Sequence, residues 1–187
     1  MSYDLYCYRG ASGVPNATEA EAQVEAINAA EEAGNTEPAS SDTKEKIVAA
    51  LIQYNPRLER FQFDYCKMAE SLKITEDEAR SRYRHAELNP FEGDLSIQLT
   101  VDDNHVFISI PYWYQGGKAD QVFSQCSEYL RVIRRTAGFF TYDPQTGSAL
   151  DPEQTDLRDH EQYEKTVKEL PKVVVEAGKP VRPWWKF

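Results

Sequence analysis

Three histidines (His85, His105, His160) and three cysteines (Cys7, Cys66, Cys126) are the side chains of this 187-residue chain best suited to hold a metal ion or to act as nucleophile and base. They share no metal-ligand spacing, and the cysteines are odd in number and far apart, so neither a zinc site nor a disulfide framework is indicated. The thiols read as reduced and mostly buried. Cys66 and His85 would make a nucleophile and its base only if the fold joined them. His160 beside Glu161 reads as an exposed residue of an acidic helix. The chain has no Gly-x-Ser-x-Gly elbow, no phosphate-binding Gly-rich loop and no His-Glu-x-x-His. No catalytic residue, cofactor site or metal site is therefore assigned, and the chain reads as non-enzymatic.

Charge supplies a different kind of chemistry. The formal net charge is −10, and residues 15–45 alone hold eight acids against Lys44. Residues 151–176 hold eight acids against four bases, which leaves the rest of the chain close to neutral. An anionic surface of this kind repels nucleic acid and steers basic partners. Glu19, Glu21 and Glu25 are its clearest candidates for partner binding. Aromatic runs are the second candidate: Tyr112, Trp113 and Tyr114 follow a strand pattern, so Tyr112 and Tyr114 share one side and Trp113 takes the other. Exposed Tyr and Trp are enriched where interfaces concentrate their energy. Trp184, Trp185 and Phe187, near the other end, are costly to leave in water, so that segment packs on the domain or on a partner.

One segment carries a nucleic-acid alternative. Residues 68–88 have a helix-turn-helix pattern, with Ala69 and Ala79 as packing positions, Lys73 at the turn, and Arg80, Arg82 and Arg84 available to phosphates. Against it, the turn position calls for glycine, Glu76-Asp77-Glu78 opens the second helix, and the net charge has the wrong sign for DNA.

The elements that would position these groups follow from periodicity. Tyr3–Tyr8 alternates as a strand. Thr18 stands three residues before Glu21, the spacing of a capping box, and opens a helix over about 18–33; Asn16, in Asn16-Ala17-Thr18, also reads as a cap. Asp42 with Glu45 opens a second helix to Tyr54, which Asn55-Pro56 stops. Residues 64–73 and 75–86 read as two further helices, the latter opened by Thr75 with Glu78. Leu95–Val101 and His105–Tyr112 form a hairpin whose return strand is apolar on both faces and so central in its sheet. Ala119, Val122, Phe123, Cys126, Leu130 and Ile133 mark the clearest amphipathic helix, closed by Gly138. Phe139–Tyr142 and Ser148–Leu150 flank a turn at Asp143–Gly147, and an acidic helix near 156–170 ends at Pro171.

This order predicts an α+β domain with an antiparallel or mixed sheet and helices on one face, in ferredoxin-like βαββαβ order. Residues 1–150 form that domain, with a helical insertion at about 42–90. Residues 151–187 supply an acidic helix and an extended aromatic tail. No apolar run is long enough to cross a membrane, and Met1-Ser2-Tyr3-Asp4 lacks the basic start of an export signal, so the expected location is the cytoplasm.

The opening Met1-Ser2-Tyr3-Asp4-Leu5-Tyr6, the central Ile108-Ser109-Ile110-Pro111-Tyr112-Trp113 and the later Tyr142-Asp143-Pro144-Gln145-Thr146-Gly147 together resemble a group of small uncharacterised bacterial proteins. That group and its relatives are often regarded as immunity proteins of secreted toxin systems. The resemblance does not cover residues 34–90 and transfers no catalytic residue. It implies a cytoplasmic protein that binds and blocks a toxin. A basic toxin, such as a nuclease, would be drawn to the acidic helix and held by aromatic anchors. The alternative is a structural or regulatory domain with another partner.

Overall fold

The computed structural model describes residues 2–32, 42–155, 157 and 161–169. Residues 33–41, with the end of the helix expected over about 18–33 and the loop expected at 34–41, lie outside them, as do His160 and the aromatic tail through Trp184, Trp185 and Phe187. β1 (Ser2–Tyr8) leads into α1 (Ala17–Glu32), and α2 (Thr43–Tyr54) into a short β2 (Leu58–Arg60). Two small helices, α3 (Tyr65–Leu72) and α4 (Glu76–Arg82), connect β2 to β3 (Ala86–Pro90). After them come the hairpin β4 (Gln98–Val101) and β5 (His105–Pro111), the long α5 (Gly117–Ala137), the pair β6 (Phe140–Asp143) and β7 (Ser148–Leu150), and α6 (Glu161–Glu169).

The strands form one seven-stranded sheet in the order β2-β3-β4-β5-β1-β6-β7, with every neighbouring pair antiparallel. The first strand of the chain is therefore interior, with Tyr3 opposite Ile110 on one side and Cys7 opposite Thr141 on the other. Alternation divides its side chains between two faces. Tyr3, Leu5 and Cys7 join Ile108, Ile110, Leu99 and Leu88 on the first face, where Ile47 and Leu51 of α2, Phe123, Leu130 and Ile133 of α5, and Tyr163 and Val167 of α6 cover them. Tyr8 belongs to the second face, in a separate cluster with Ala20, Phe140 and Tyr142.

That second cluster corrects the expectation of helices on one face. Rings at Tyr6, Tyr8, Phe140 and Tyr142 leave the far side of the sheet too apolar for water, and Ala17, Ala20 and Val24 of α1 shield it. The expected insertion at 42–90 is also only partly helical, because β2 and β3 fall inside it and extend the sheet.

Cap chemistry differs in two places. Thr18 does not open α1; Asn16 does, its Oδ1 accepting the Glu19 N–H at 3.1 Å and its carbonyl the Ala20 N–H at 3.0 Å. Asp42 makes no cap bond to α2 and pairs with Lys46 at 2.8 Å, while Glu45 is taken by Arg60 at 2.7 Å. The box of Thr75 and Glu78 forms as its spacing requires, with both reciprocal bonds present. Leu95–Val101 is shorter as a strand than its alternation suggests. The Ile97 N–H donates to the Leu95 carbonyl at 2.8 Å, a tight turn that delays the ladder to Gln98.

Candidate functional site

The acidic candidates lie on α1, and the way that helix is seated decides which of them face water. Tyr8 clamps its start, donating its hydroxyl to the Asn16 carbonyl at 3.1 Å and accepting the Asn16 N–H at 2.9 Å. With Ala17, Ala20 and Val24 turned to the sheet, Glu21 and Glu25 stand exposed, four residues apart. Burial raises the Tyr142 hydroxyl pKa, and both carboxylates, with Asp143, add to that rise. Like charges four apart on a helix repel by about 0.2–0.5 kcal/mol. α1 has no Lys or Arg of its own, and no cation is described against Glu21 or Glu25. Glu19 is spent differently: half-buried, it accepts the Ala11 N–H at 2.6 Å and the Gln23 amide at 3.3 Å, tying down the loop before the helix.

The aromatic candidates separate in the same manner. Tyr112 is buried and stacks on Tyr163 with ring centroids 5.1 Å apart. Tyr114 is buried too, its hydroxyl accepting the Ser96 N–H at 2.6 Å and its own N–H donating to the Tyr163 hydroxyl at 3.1 Å. Trp113 alone is solvent-facing, 43% exposed, with Tyr114 edge-on at 6.0 Å. It stands in the loop between β5 and α5, whereas the carboxylates stand on α1 across the sheet.

Other chemistries find little to build on. Cys7 and Cys126 are core thiols; burial pushes Cys7 up to about 12 and Cys126 higher still, so neither is a thiolate at neutral pH. Cys66 is exposed, and no bond to His85 is described. His85 instead lies edge-on to Phe63 at 5.2 Å with Nε2 3.4 Å from Glu87 Oε1. Among the described residues no group of three or more His, Cys, Asp or Glu could share a metal ion, and no helix is long and apolar enough to cross a membrane.

The α3–α4 pair forms a short helical hairpin. Ala69 and Ala79 are buried, and Lys73 adopts the left-handed turn conformation at φ 57°. Its charges do not suit a phosphate backbone. Arg80 is held by Glu76 at 2.5 Å and lies over the Tyr65 ring at 4.6 Å, while Glu76, Asp77 and Glu78 fill the first turn of α4.

One feature was not legible in the sequence. Between the C-terminal end of α2, the β2–β3 edge and the middle of α5 is a cleft of about 380 Å³. Tyr54 and Tyr129 form a corner, their rings 6.0 Å apart and nearly perpendicular. The Asn55 amide donates to the Tyr129 hydroxyl at 2.6 Å, and burial raises that hydroxyl's pKa. Arg57 meets Asp94 at 2.7 Å across the opening and lies over the exposed Phe91 ring at 6.0 Å. These residues come from separate segments, so no spacing along the chain signals the site.

Against known proteins, no family model matches the chain, and neither a curated protein nor a solved structure matches it.

Proposed function

We propose that the protein is a non-enzymatic protein-binding domain that meets a basic partner through the outer face of α1. The observation that carries this is the pair Glu21 and Glu25, exposed and mutually repelling on a helix without a basic residue. A helix that only had to cover the sheet would gain a few tenths of a kcal/mol from a lysine at either position. Retaining two carboxylates suits steering of a positively charged surface. Trp113, a solvent-facing ring of the type that anchors interfaces, stands across the sheet from these carboxylates and is not part of this face, and Tyr112 and Tyr114 are buried behind it.

The resemblance to immunity proteins supports a secreted toxin as the partner, and the acidic helix a basic one, which this chain would bind and block in the cytoplasm. In the same reading, the inner strands β4-β5-β1-β6, with α2 and α5 on one face, are a ferredoxin-like core enlarged at both sheet edges. Capture from the native cell with the unaltered chain and with Glu21→Lys/Glu25→Lys tests the proposal. The expected result is a basic protein retained by the unaltered chain, released as salt is raised, and lost with the double variant. Equal retention by both, or retention insensitive to salt, would refute the acidic-face reading.

A further inference from the structure

The second face of the sheet is covered unevenly. α1 lies on it over β1, β6 and β7, while α2, α5 and α6 pack on the first face. At β3 the α3–α4 hairpin flanks the second face, with Phe63 and Tyr83 against the His85 ring at 5.2 and 6.2 Å. Between these two walls runs a strip of β4 and β5, where Thr100 stands opposite Phe107 and Gln98 opposite Ser109, all half-buried. By alternation Asp4 of β1 and Glu87 of β3 belong to the same face and border the strip. Asp4 Oδ1 and Glu87 Oε2 are shut off from water, and among the described residues neither accepts a hydrogen bond. His85 Nε2 reaches the other oxygen of Glu87, at 3.4 Å. Carboxylate oxygens held from water without a donor are costly, and a cationic donor removes that cost.

The chain itself has a segment of the complementary chemistry. Residues 170–187 hold Lys172, Lys179, Arg182 and Lys186 against Glu176, a charge of +3 where residues 1–169 carry −13. Tyr163 fixes α6 to the Pro111 carbonyl and the Tyr114 N–H, at the end of the sheet where Pro111 stands opposite Ser2. The 18 residues that follow α6 can extend up to about 60 Å, ample to turn round that end. From there the row of Asp4, Ser109 and Gln98 comes first, and the row of Phe107, Thr100 and Glu87 next. Asp4 and Glu87 are three strand spacings and two residues apart, roughly 16 Å. Arg182 and Lys186 are about 13 Å apart in an extended chain, and their long side chains span the difference. Alternation puts Trp184 on the same side as both cations.

We infer that residues 182–187 dock on the second face of β4 and β5, with Arg182 at Asp4, Lys186 at Glu87 and the Trp184 ring over Phe107. Tryptophan emission from the full chain tests this, in a Trp113→Phe background so that only Trp184 and Trp185 report. Their emission should be blue-shifted from that of tryptophan in water and shielded from acrylamide, equally in dilute and in concentrated solution. Asp4→Asn/Glu87→Gln should shift it to the water value and remove the shielding. Arg182→Gln/Lys186→Gln should do the same, and because it alters none of the described residues it decides the matter if the sheet variant does not fold. Water-like emission from the Trp113→Phe chain would overturn the docking. Shielding that appears only at high concentration would assign the segment to a second copy, and shielding that survives either double variant in folded form would place it on another surface; each result overturns the inference.

Discussion

Lys73 and Gly138 hold the same backbone state, the left-handed turn that closes a helix, at φ 57° and φ 74°. A side chain there brings Cβ against the following carbonyl, at roughly 1–2 kcal/mol. Glycine avoids that clash but loses about 0.5–1 kcal/mol more backbone entropy on folding. The balance favours glycine by roughly 0.5–1 kcal/mol at either site. Neighbouring contacts do little to blur it. Lys73 is exposed with no ion pair described, and a Cβ on Gly138 would meet nothing nearer than Arg134 Nη1, at 3.8 Å. Lys73→Gly should therefore stabilise the protein and Gly138→Ala destabilise it by a similar amount. For a chain of this length each kcal/mol moves Tm by about 2–4 °C, so the two variants should shift by roughly 1–4 °C in opposite directions. Urea unfolding should show the midpoint moving with its slope unchanged. A lower midpoint for Lys73→Gly, or an unchanged one for Gly138→Ala, would show that left-handed strain does not govern these caps.

Three further outcomes are expected. Gly10→Ala should cost about 1–3 kcal/mol in urea unfolding, because its Cβ would lie 2.6 Å from a carbon of the Phe140 ring, which the Arg134 guanidinium covers from 4.2 Å; Phe140→Leu in the same chain should recover part of the loss. Tyr163→Phe should cost about 1–3 kcal/mol by the same measurement, since the hydroxyl donates to the Pro111 carbonyl at 2.7 Å and accepts the Tyr114 N–H at 3.1 Å. Arg134 holds the Asp151 carboxyl below its usual range through bonds of 3.0 and 2.9 Å. Stability from that pair is complete above the unfolded carboxyl pKa, near 3.9, and is lost as pH falls through the lower folded value. Asp151→Asn should lower the urea midpoint at pH 7 and flatten its decline below about pH 4; an unaltered acid slope would count against the pair.

Legibility in the sequence followed how local each signal was. β1, β5 and α5 stand out because their own alternation or three-and-four spacing matches what they bury. β2 is three residues with Leu58 as its only buried side chain, and exists because β3 pairs with it. β3 abuts α4 closely enough that Ala86 and Leu88 pass for the end of a helix; pairing with Val101 and Leu99 of β4 makes them a strand. The face taken by α1 was signalled only indirectly, by rings on both sides of Tyr3–Tyr8. In the aromatic run, alternation separated Trp113 from Tyr112 and Tyr114 but could not say which side met water; Tyr163, some fifty residues away, settles that by stacking on Tyr112 and bonding to Tyr114.

The interior position of β1 has a consequence for biosynthesis. Both of its neighbours, β5 and β6, come from the second half of the chain. β1 leaves the ribosome well before either and must wait until about residue 143 emerges before both its edges are paired, on the order of ten seconds at ordinary elongation rates. Throughout that interval an apolar, β-prone segment bearing Tyr3, Leu5, Tyr6 and Tyr8 has open hydrogen-bonding edges. Open edges of this kind make a nascent segment prone to aggregation, and the strand order prolongs that exposure for β1.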